Sequence, residues 1–188
     1  KGYYQKPDAT REAIDAAGWF HTGDVGDLDV EGFLRITDRK KDIIVTAGGK
    51  NIAPQPIENA AKANKFVSNA VMLGDKRRFP VMLVVPNFVN LEAWARHKGL
   101  TFADQAALIA LPEARGKLER EALGMMRDLA HYEVPKKFLP LLNDFSIENG
   151  ELTPTLKVKR RVVEQHYQQA IDALRHEAEG GPHDLDGT

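Results

Sequence analysis

The stretch that organises this chain reads Ile-Thr-Asp-Arg-Lys-Lys-Asp-Ile-Ile-Val-Thr-Ala-Gly-Gly-Lys-Asn-Ile-Ala-Pro-Gln-Pro-Ile-Glu and covers residues 36–58. Five charged residues, 38–42, stand before the apolar run 43–45, and the pair Gly48-Gly49 follows. Because burying five charges is costly, we expect this segment at a surface or in a wet cleft. The apolar run favours a strand, and glycines let other groups approach the backbone closely. The pattern is typical of a hinge or a ligand-facing edge, but also of a solvated turn between strands. The spacing alone favours the solvated turn.

The composition is that of a globular protein of ordinary domain size. The 188 residues are 43% hydrophobic and 28% charged, which is enough apolar surface to bury a core. The net charge of −1 argues against a dedicated nucleic-acid binder, and the absence of cysteine excludes disulfides and thiolate sites. No apolar run reaches about 18 residues, so no membrane span is predicted. The chain opens without a methionine or a signal sequence, so we interpret it as a piece of a longer, cytoplasmic protein.

Residues 1–38 are predicted to form the end of a larger N-terminal domain that the chain mostly lacks. A helix over 9–17 is expected to stop at Gly18, and strands over 19–24 and 33–37 are expected to pair as a hairpin. A single hairpin is too small to bury its own core. The charged run at 38–42 is the expected domain boundary.

Residues 39–176 are predicted to form a compact α+β domain, a small sheet flanked by helices. Expected strands are 43–45, 66–73, 80–85 and 138–142; expected helices are 54–63, 87–98, a short one after a capping box at 101–104, one from Pro112 through Leu129, and an amphipathic one over 158–176. The last helix is expected to turn seven side chains inward: Val162, Val163, His166, Tyr167, Ala170, Ile171 and Leu174. The tail, 177–188, is expected to be disordered.

Two positions stand out as carriers of chemistry. Asp24 follows a glycine at the end of the first predicted strand, where a carboxylate accepts hydrogen bonds from a ribose diol or caps a turn. Lys157 follows a proline turn, and a lysine there is a mobile point charge suited to phosphate or carboxylate oxygens. The basic run Lys157, Lys159, Arg160 and Arg161 is alternatively a nucleic-acid patch or a solvated helix start. Since cations in a first helical turn oppose the helix dipole, the run favours a functional role.

Other motifs give no site. Gly48-Gly49-Lys50 lacks the spacing and the hydroxyl residue of a phosphate-binding loop, and the histidines show no metal-ligand spacing.

Five motifs in order along the chain carry a family resemblance. They are Gly18-Trp19-Phe20-His21-Thr22-Gly23-Asp24, Asp38-Arg39-Lys40-Lys41-Asp42, Gly49 with Pro54 and Glu58, His131-Tyr132-Glu133-Val134-Pro135, and Thr153-Pro154-Thr155-Leu156-Lys157. Together they resemble the C-terminal end of an adenylate-forming acyl-CoA synthetase. The sequences of residues 46–58 and 152–157 resemble those of the long-chain fatty acid CoA ligase branch. The resemblance covers the chain except its tail.

The resemblance implies a two-step ligase. ATP and Mg²⁺ convert a fatty acid to an acyl-adenylate with release of pyrophosphate, and the thiol of coenzyme A then displaces AMP. The phosphate-binding loop, the Mg²⁺ ligand and the acyl pocket are implied to lie in the missing N-terminal domain, so the chain alone is expected to be inactive. No nucleic-acid partner is expected, and peripheral membrane association of the full-length enzyme is left open.

The resemblance also implies roles for individual residues. Asp24 matches the aspartate that holds the ribose hydroxyls, and Arg39 matches an arginine on the nucleotide's ribose and phosphate side. Lys41 matches the hinge about which the C-terminal domain swings. Gly49, with Gly48 beside it, matches the glycine that leaves room for the pantetheine arm of coenzyme A. Lys157 matches the lysine that contacts the carboxylate and the α-phosphate during adenylation.

The chemistry is consistent with these roles. A cation at Lys157 stabilises the charge that develops when a carboxylate meets a triphosphate, and the same lysine obstructs the thiol, so one domain alternates two faces. A hinge of charged residues suits that motion, since it is soluble in both orientations. One residue departs from the pattern, because many family members have glycine where Leu156 stands. The resemblance implies that a residue such as Leu156 is usual at this position in the long-chain branch. Leucine makes the loop less flexible and more apolar than glycine would.

Two alternatives stay open. One is a fatty acyl-AMP ligase or another adenylating relative that passes the acyl group to a carrier protein. The other is a non-catalytic module that binds RNA or an acidic partner through residues 157–161. Salt-dependent nucleic-acid binding that is lost when Lys159, Arg160 and Arg161 are neutralised would favour the second alternative.

Overall fold

The structure, a computed structural model, describes residues 2–179. Its internal contacts divide the chain into two compact units, the first ending at Ile43 and the second beginning at Ile44. This division falls five residues after the predicted boundary at residue 38, which stays a prediction as a domain boundary. The last helix continues to Glu179, inside the predicted tail, and residues 180–188 lie outside the described residues.

The first unit contains one helix and one hairpin. Helix α1 spans Pro7–Ala13, and the antiparallel strands β1 and β2 span Asp24–Leu28 and Leu34–Arg39. The helix predicted over 9–17 begins two residues earlier and ends four residues earlier. It can begin at Pro7 because proline is tolerated in a first helical turn, and it ends before Ile14, whose backbone is extended.

The predicted strand at 19–24 was wrong. Phe20 forms only an isolated bridge with Ile14, and the Asp15 carboxylate accepts the N–H groups of Ala17 and Trp19 at 3.0 and 2.9 Å. This aspartate-closed turn occupies the backbone that the strand would have needed. The acidic segment after it forms β1 instead, because β2 supplies the hydrogen-bonding partner.

The expectation that the whole charged run lies at the surface was wrong at one residue. Asp38 is 2% exposed, and its carboxylate accepts the N–H of Arg39 at 2.7 Å. The next four residues, 39–42, are exposed as expected. A carboxylate that accepts backbone hydrogen bonds can be buried at a tolerable cost.

The second unit confirms the α+β prediction. A two-stranded ribbon pairs β3 with β4, and a three-stranded sheet has the order β5-β6-β7, with β6 antiparallel to β5 and parallel to β7. The elements are β3 Ile44–Val45, β4 Asn51–Ile52, α2 Pro54–Lys62, β5 Val67–Leu73, β6 Val81–Pro86, α3 Phe88–His97, α4 Gln105–Ala110, α5 Pro112–Gly124, β7 Lys137–Pro140, α6 Arg160–His166 and α7 Gln168–Glu179. Helices α3 to α5 form the crossover that a parallel pair of strands requires.

Helices cover both faces of the three-stranded sheet. On one face, Met72 and Met82 pack with residues of α2 such as Ile57. On the other face, Leu83 packs in the same cluster as Ile171 of α7. Strands covered on both faces read as continuous apolar runs, which is why β5 and β6 were predicted from the sequence within one residue.

Three helix predictions in this unit need correction. The single helix predicted over 158–176 is two helices that meet at Tyr167, and His166 faces solvent with 43% of its side chain exposed. Helix α5 ends at Gly124, which leaves Met125 exposed although Met126 is buried. Asp104, rather than Thr101, caps α4 by accepting the N–H of Ala107 at 2.7 Å.

Candidate active-site loops

The hairpin of the first unit brings two predicted nucleotide-binding residues together. Asp24 and Arg39 are register partners in β1 and β2, and Arg39 Nε lies 3.0 Å from Asp24 Oδ1. The Arg39 side chain is 57% exposed and that of Asp24 26%. An ion pair this exposed contributes roughly 0–1 kcal/mol to stability, so stability alone gives little reason for these residue types.

Lys41, the predicted hinge, lies in the turn that follows β2. The carbonyl of Arg39 accepts the N–H groups of Asp42 at 2.9 Å and Ile43 at 3.2 Å, which closes the turn around Lys41. Lys41 is exposed, and the division between the two compact units falls just beyond it. The hinge role stays a prediction.

The predicted coenzyme A glycines lie in a tight connection between β3 and β4, residues 46–50, which we call the glycine turn. Thr46 donates its N–H to the Lys50 carbonyl at 2.9 Å, and its Oγ1 accepts the Lys50 N–H at 3.1 Å. Gly49 has φ +73°, and an added Cβ would meet nothing within 4 Å. The backbone conformation therefore favours glycine here, and the space beside it is open within this chain.

The loop between β5 and β6 supports the glycine turn. Ala47 donates to the Arg77 carbonyl at 2.8 Å, and Lys76 donates to the Val45 carbonyl at 2.7 Å. The Asp75 carboxylate accepts the Val45 N–H at 3.1 Å. These long-range bonds hold the turn in place against the main sheet. Lys50 itself lies over the ring of Tyr132, with its Nζ 5.6 Å from the ring centroid.

Lys157 lies at the end of a second tight connection, residues 152–158, which we call the lysine loop. Its ends form an antiparallel bridge between Leu152 and Val158. Thr153 donates its N–H to the Lys157 carbonyl at 2.8 Å and accepts the Lys157 N–H on Oγ1 at 3.0 Å. Lys157 is exposed, so its ammonium group is available to an anion.

Leu156 adopts a backbone conformation that favours glycine. Its φ is +59°, in the left-handed region, where a Cβ costs roughly 1–2 kcal/mol. Its N–H donates to the Thr153 carbonyl at 2.8 Å, and its side chain is exposed. The leucine therefore gains no burial that would offset its strain.

A buried carboxylate, Glu151, lies at the base of the lysine loop. It is 2% exposed and accepts the Ser146 N–H at 3.1 Å, while His166 Nδ1 lies 3.2 Å from its other oxygen. Burial raises the pKa of the nearby Tyr167 phenol, and the negative charge of Glu151 and a hydrogen bond to it raise this pKa further. The Tyr167 ring meets Phe145 edge-on at 6.5 Å.

Arg160 forms a buried ion pair that the sequence did not indicate. Both of its terminal nitrogens contact the Glu58 carboxylate, and Nη1 also donates to the Met72 carbonyl at 2.7 Å. Glu58 in turn accepts the Met72 N–H at 2.6 Å. The pair joins the start of α6, just after the lysine loop, to α2, just after the glycine turn.

This ion pair corrects the prediction of a basic patch. Arg160 is committed to Glu58, with 19% of its side chain exposed, so it cannot serve a nucleic-acid patch without breaking the pair. The signal that was missed is Glu58 itself, which is buried beside Ile57 and Ala61 on one face of α2. A carboxylate among buried apolar residues requires a cationic or hydrogen-bonding partner.

Residues 2–179 contain neither a candidate metal site nor a candidate membrane span. No group of three or more histidine, aspartate and glutamate side chains in this part of the chain could hold a metal ion. Within the same residues, no helix is both long and apolar enough to cross a membrane.

Comparison with known proteins identifies the class. Residues 41–105 match the family model described as AMP-binding enzyme C-terminal domain. The AMP-bound A-PCP didomain of carboxylic acid reductase from Segniliparus rugosus superimposes with a TM-score of 0.73 at 28% identity, over 95% of this chain and 24% of that chain. ATP-bound MatB from Rhodopseudomonas palustris gives a TM-score of 0.58 at 25% identity, over 90% and 28%. The chain thus belongs to the adenylate-forming enzymes and contains their C-terminal domain.

Sequence relatives identify the branch within this class. The chain is 39% identical over 174 residues to long-chain-fatty-acid–CoA ligase FadD15 of Mycobacterium tuberculosis, covering 92% of this chain and 29% of that protein. It is 36% identical to human long-chain-fatty-acid–CoA ligase ACSBG1, covering 94% and 27%. The chain is therefore homologous to long-chain fatty acid CoA ligases over most of its length, and it spans less than a third of these relatives.

Proposed function

We propose that this chain is the C-terminal part of a long-chain fatty acid CoA ligase. In the first step, a fatty acid carboxylate oxygen attacks the α-phosphorus of ATP, and pyrophosphate leaves. In the second step, the thiol of coenzyme A attacks the acyl carbon, and AMP leaves. The observation that supports this assignment is Lys157, an exposed cation at the end of a hydrogen-bonded loop in a chain related to such ligases.

Lys157 serves the first step in this proposal. Its ammonium group contacts the carboxylate and the α-phosphate and stabilises the charge that builds up between them. Asp24 accepts the ribose hydroxyls, and the Arg39 guanidinium, oriented by the 3.0 Å contact of its Nε with Asp24, supplies donors to the nucleotide.

The glycine turn serves the second step. The open space beside Gly49 admits the pantetheine arm, and rotation about Lys41 exchanges the lysine loop for the glycine turn at the reacting atoms. Among residues 2–179, no group of three or more acidic or histidine side chains could hold Mg²⁺, and the proposal places the ligand of that ion in the N-terminal domain. A cytoplasmic location, with the full-length enzyme meeting its fatty acid at membrane surfaces, belongs to the same proposal.

The test measures both half-reactions in the full-length enzyme carrying Lys157→Ala. We expect acyl-adenylate formation from fatty acid and ATP to fall about 10²–10³-fold, because a preorganised charge contact is lost. Thioester formation from supplied acyl-adenylate and coenzyme A should stay within a few-fold of the wild type. Lys159→Ala, an exposed lysine two residues on, is the matched control and should change neither step. If Lys157→Ala leaves both steps intact, the assignment is wrong.

A carrier protein as acyl acceptor is the alternative within this class. Supplying the full-length enzyme with equal concentrations of coenzyme A and a phosphopantetheinylated carrier protein would decide between them. Preferential loading of the carrier would replace the ligase proposal with that of a fatty acyl-AMP ligase.

A further inference from the structure

One buried residue, Glu151, connects the two ends of the lysine loop. The Glu151 carbonyl accepts the Lys159 N–H at 2.7 Å, and its own N–H donates to the Ser146 carbonyl at 3.0 Å. These two bonds connect the segment that enters the loop with the segment that leaves it and with the preceding turn. Lys157 lies two residues from Lys159, so its backbone position depends on this connection.

The Glu151 carboxylate also holds the base of the lysine loop, through contacts of its two oxygens. It accepts the Ser146 N–H at 3.1 Å, and its other oxygen lies 3.2 Å from His166 Nδ1. These partners come from the turn before the loop and from the junction of α6 and α7. A carboxylate that is 2% exposed remains buried only because such contacts replace its hydration.

The lysine loop needs an external anchor. Its internal bonds are local ones among Thr153, Leu156 and Lys157, and Leu156 stands at φ +59°. A strained residue persists only where the surrounding structure over-determines its conformation. Among the residues around the loop, Glu151 supplies contacts that reach beyond it on both sides.

We propose that Glu151 is a positioning residue for adenylation: its buried carboxylate and backbone hold the lysine loop so that Lys157 is presented at one fixed place. The inference rests on the function proposed above for Lys157. Thioester formation, which the proposal assigns to the glycine turn, does not use this loop. Glu151 therefore acts on one half-reaction, whereas a general contribution to folding would affect both.

The experiment uses the full-length enzyme with Glu151→Leu, Glu151→Gln and Glu148→Gln. Leucine removes all contacts of the carboxylate, whereas glutamine keeps the length and one acceptor oxygen. Glu148 is an exposed glutamate in the same turn and is the matched control. Hydrogen-exchange mass spectrometry without substrates follows a peptide spanning 152–159, with peptides of β5 and β6 as the internal reference for global unfolding. Both half-reactions are measured on the same preparations.

The proposal expects graded, local effects. Exchange at 152–159 should rise about tenfold in Glu151→Leu and less in Glu151→Gln, while the β5 and β6 peptides and Glu148→Gln stay unchanged. Adenylation should fall about tenfold or more in kcat in Glu151→Leu, with partial recovery in Glu151→Gln, and thioester formation should be preserved. If Glu151→Leu does not fold, Glu151→Gln gives both readouts at smaller amplitude.

Three outcomes would overturn the inference. Unchanged exchange at 152–159 in both Glu151 variants would show that Glu151 does not anchor the loop. An equal fall of both half-reactions would reduce Glu151 to a residue of general stability. Faster exchange with intact adenylation, in an enzyme that Lys157→Ala inactivates, would separate loop order from catalysis. If Lys157→Ala is itself active, the proposed function fails first, and the exchange data distinguish that case because they need no substrate.

Discussion

The glycine turn and the lysine loop share one hydrogen-bond pattern built from different residues. In each, a threonine donates to the carbonyl of a lysine four residues later and accepts that lysine's N–H on its hydroxyl, at 2.9 and 3.1 Å for Thr46 and 2.8 and 3.0 Å for Thr153. In each, the residue before the lysine is left-handed, Gly49 at φ +73° and Leu156 at φ +59°.

The glycine turn and the lysine loop differ in what stabilises their left-handed residue. Glycine adopts a left-handed φ at no steric cost, so the glycine turn needs only the neighbouring β5–β6 loop for support. Leucine does not, so the lysine loop relies on Glu151 at its base. The same turn can therefore leave open space beside it in one place and present a side chain rigidly in another.

The largest expected effect comes from breaking the ion pair that joins the two connections. Arg160→Met should lower the free energy of unfolding by about 3 kcal/mol, because it leaves the Glu58 carboxylate buried without its cation. Arg161→Met, at the exposed neighbouring position, should change it by less than about 0.5 kcal/mol. Urea denaturation of the two variants measures both values. Equal stabilities would show that the Arg160–Glu58 ion pair does not stabilise the fold.

The second prediction tests whether the glycine turn matters for conformation or for a ligand. Gly49→Ala and Gly99→Ala place the same side chain at the same φ of +73°, each with nothing within 4 Å, so both should lose about 1 kcal/mol of stability. Gly49→Ala alone should slow thioester formation, on the order of tenfold, since the proposed pantetheine path passes this residue. A Gly99→Ala enzyme that is slowed equally would remove the basis for that path.

A third substitution gives the lysine loop a glycine at the position that Gly49 occupies in the glycine turn. Leu156→Gly relieves the left-handed strain in the folded chain but adds backbone freedom to the unfolded one, so the net change in unfolding free energy should be within about 1 kcal/mol. Adenylation should become slower, because a glycine loop holds Lys157 less firmly. Chemical denaturation and the adenylation assay together check this, and an adenylation rate above that of the wild type would contradict it.

The smallest expected effect is a shifted titration. The raised pKa of Tyr167 means that its proton is bound more tightly in the folded state, so its contribution to stability is present below about pH 10 and lost as pH rises through the raised value. Tyrosinate absorbance should show one component that ionises above the ordinary tyrosine pKa of about 10. Tyr167→Phe should remove the late component, and Glu151→Gln should move it toward lower pH.

Local patterns predicted much of the second unit. The apolar runs of β5 and β6, the prolines that open α2 and α5, and the Asn87 cap of α3 act within a few residues, so they can be recognised in the sequence. The family motifs likewise led to Asp24 and Arg39, which the hairpin makes register partners.

What the tertiary structure decided depends on partners far away in the sequence. Arg160 reads as part of a basic run until Glu58, more than a hundred residues earlier, is placed against it. The helix predicted over 158–176 is interrupted at Tyr167, beside the buried carboxylate of Glu151. The strands β5 and β6, the starts of helices α2, α3 and α5, and the family could be recognised from the sequence alone, because those signals are local. Which charges are buried, and which residue holds Lys157 in place, followed only from the packing, because burial and hydrogen bonding are properties of pairs that the chain brings together by folding.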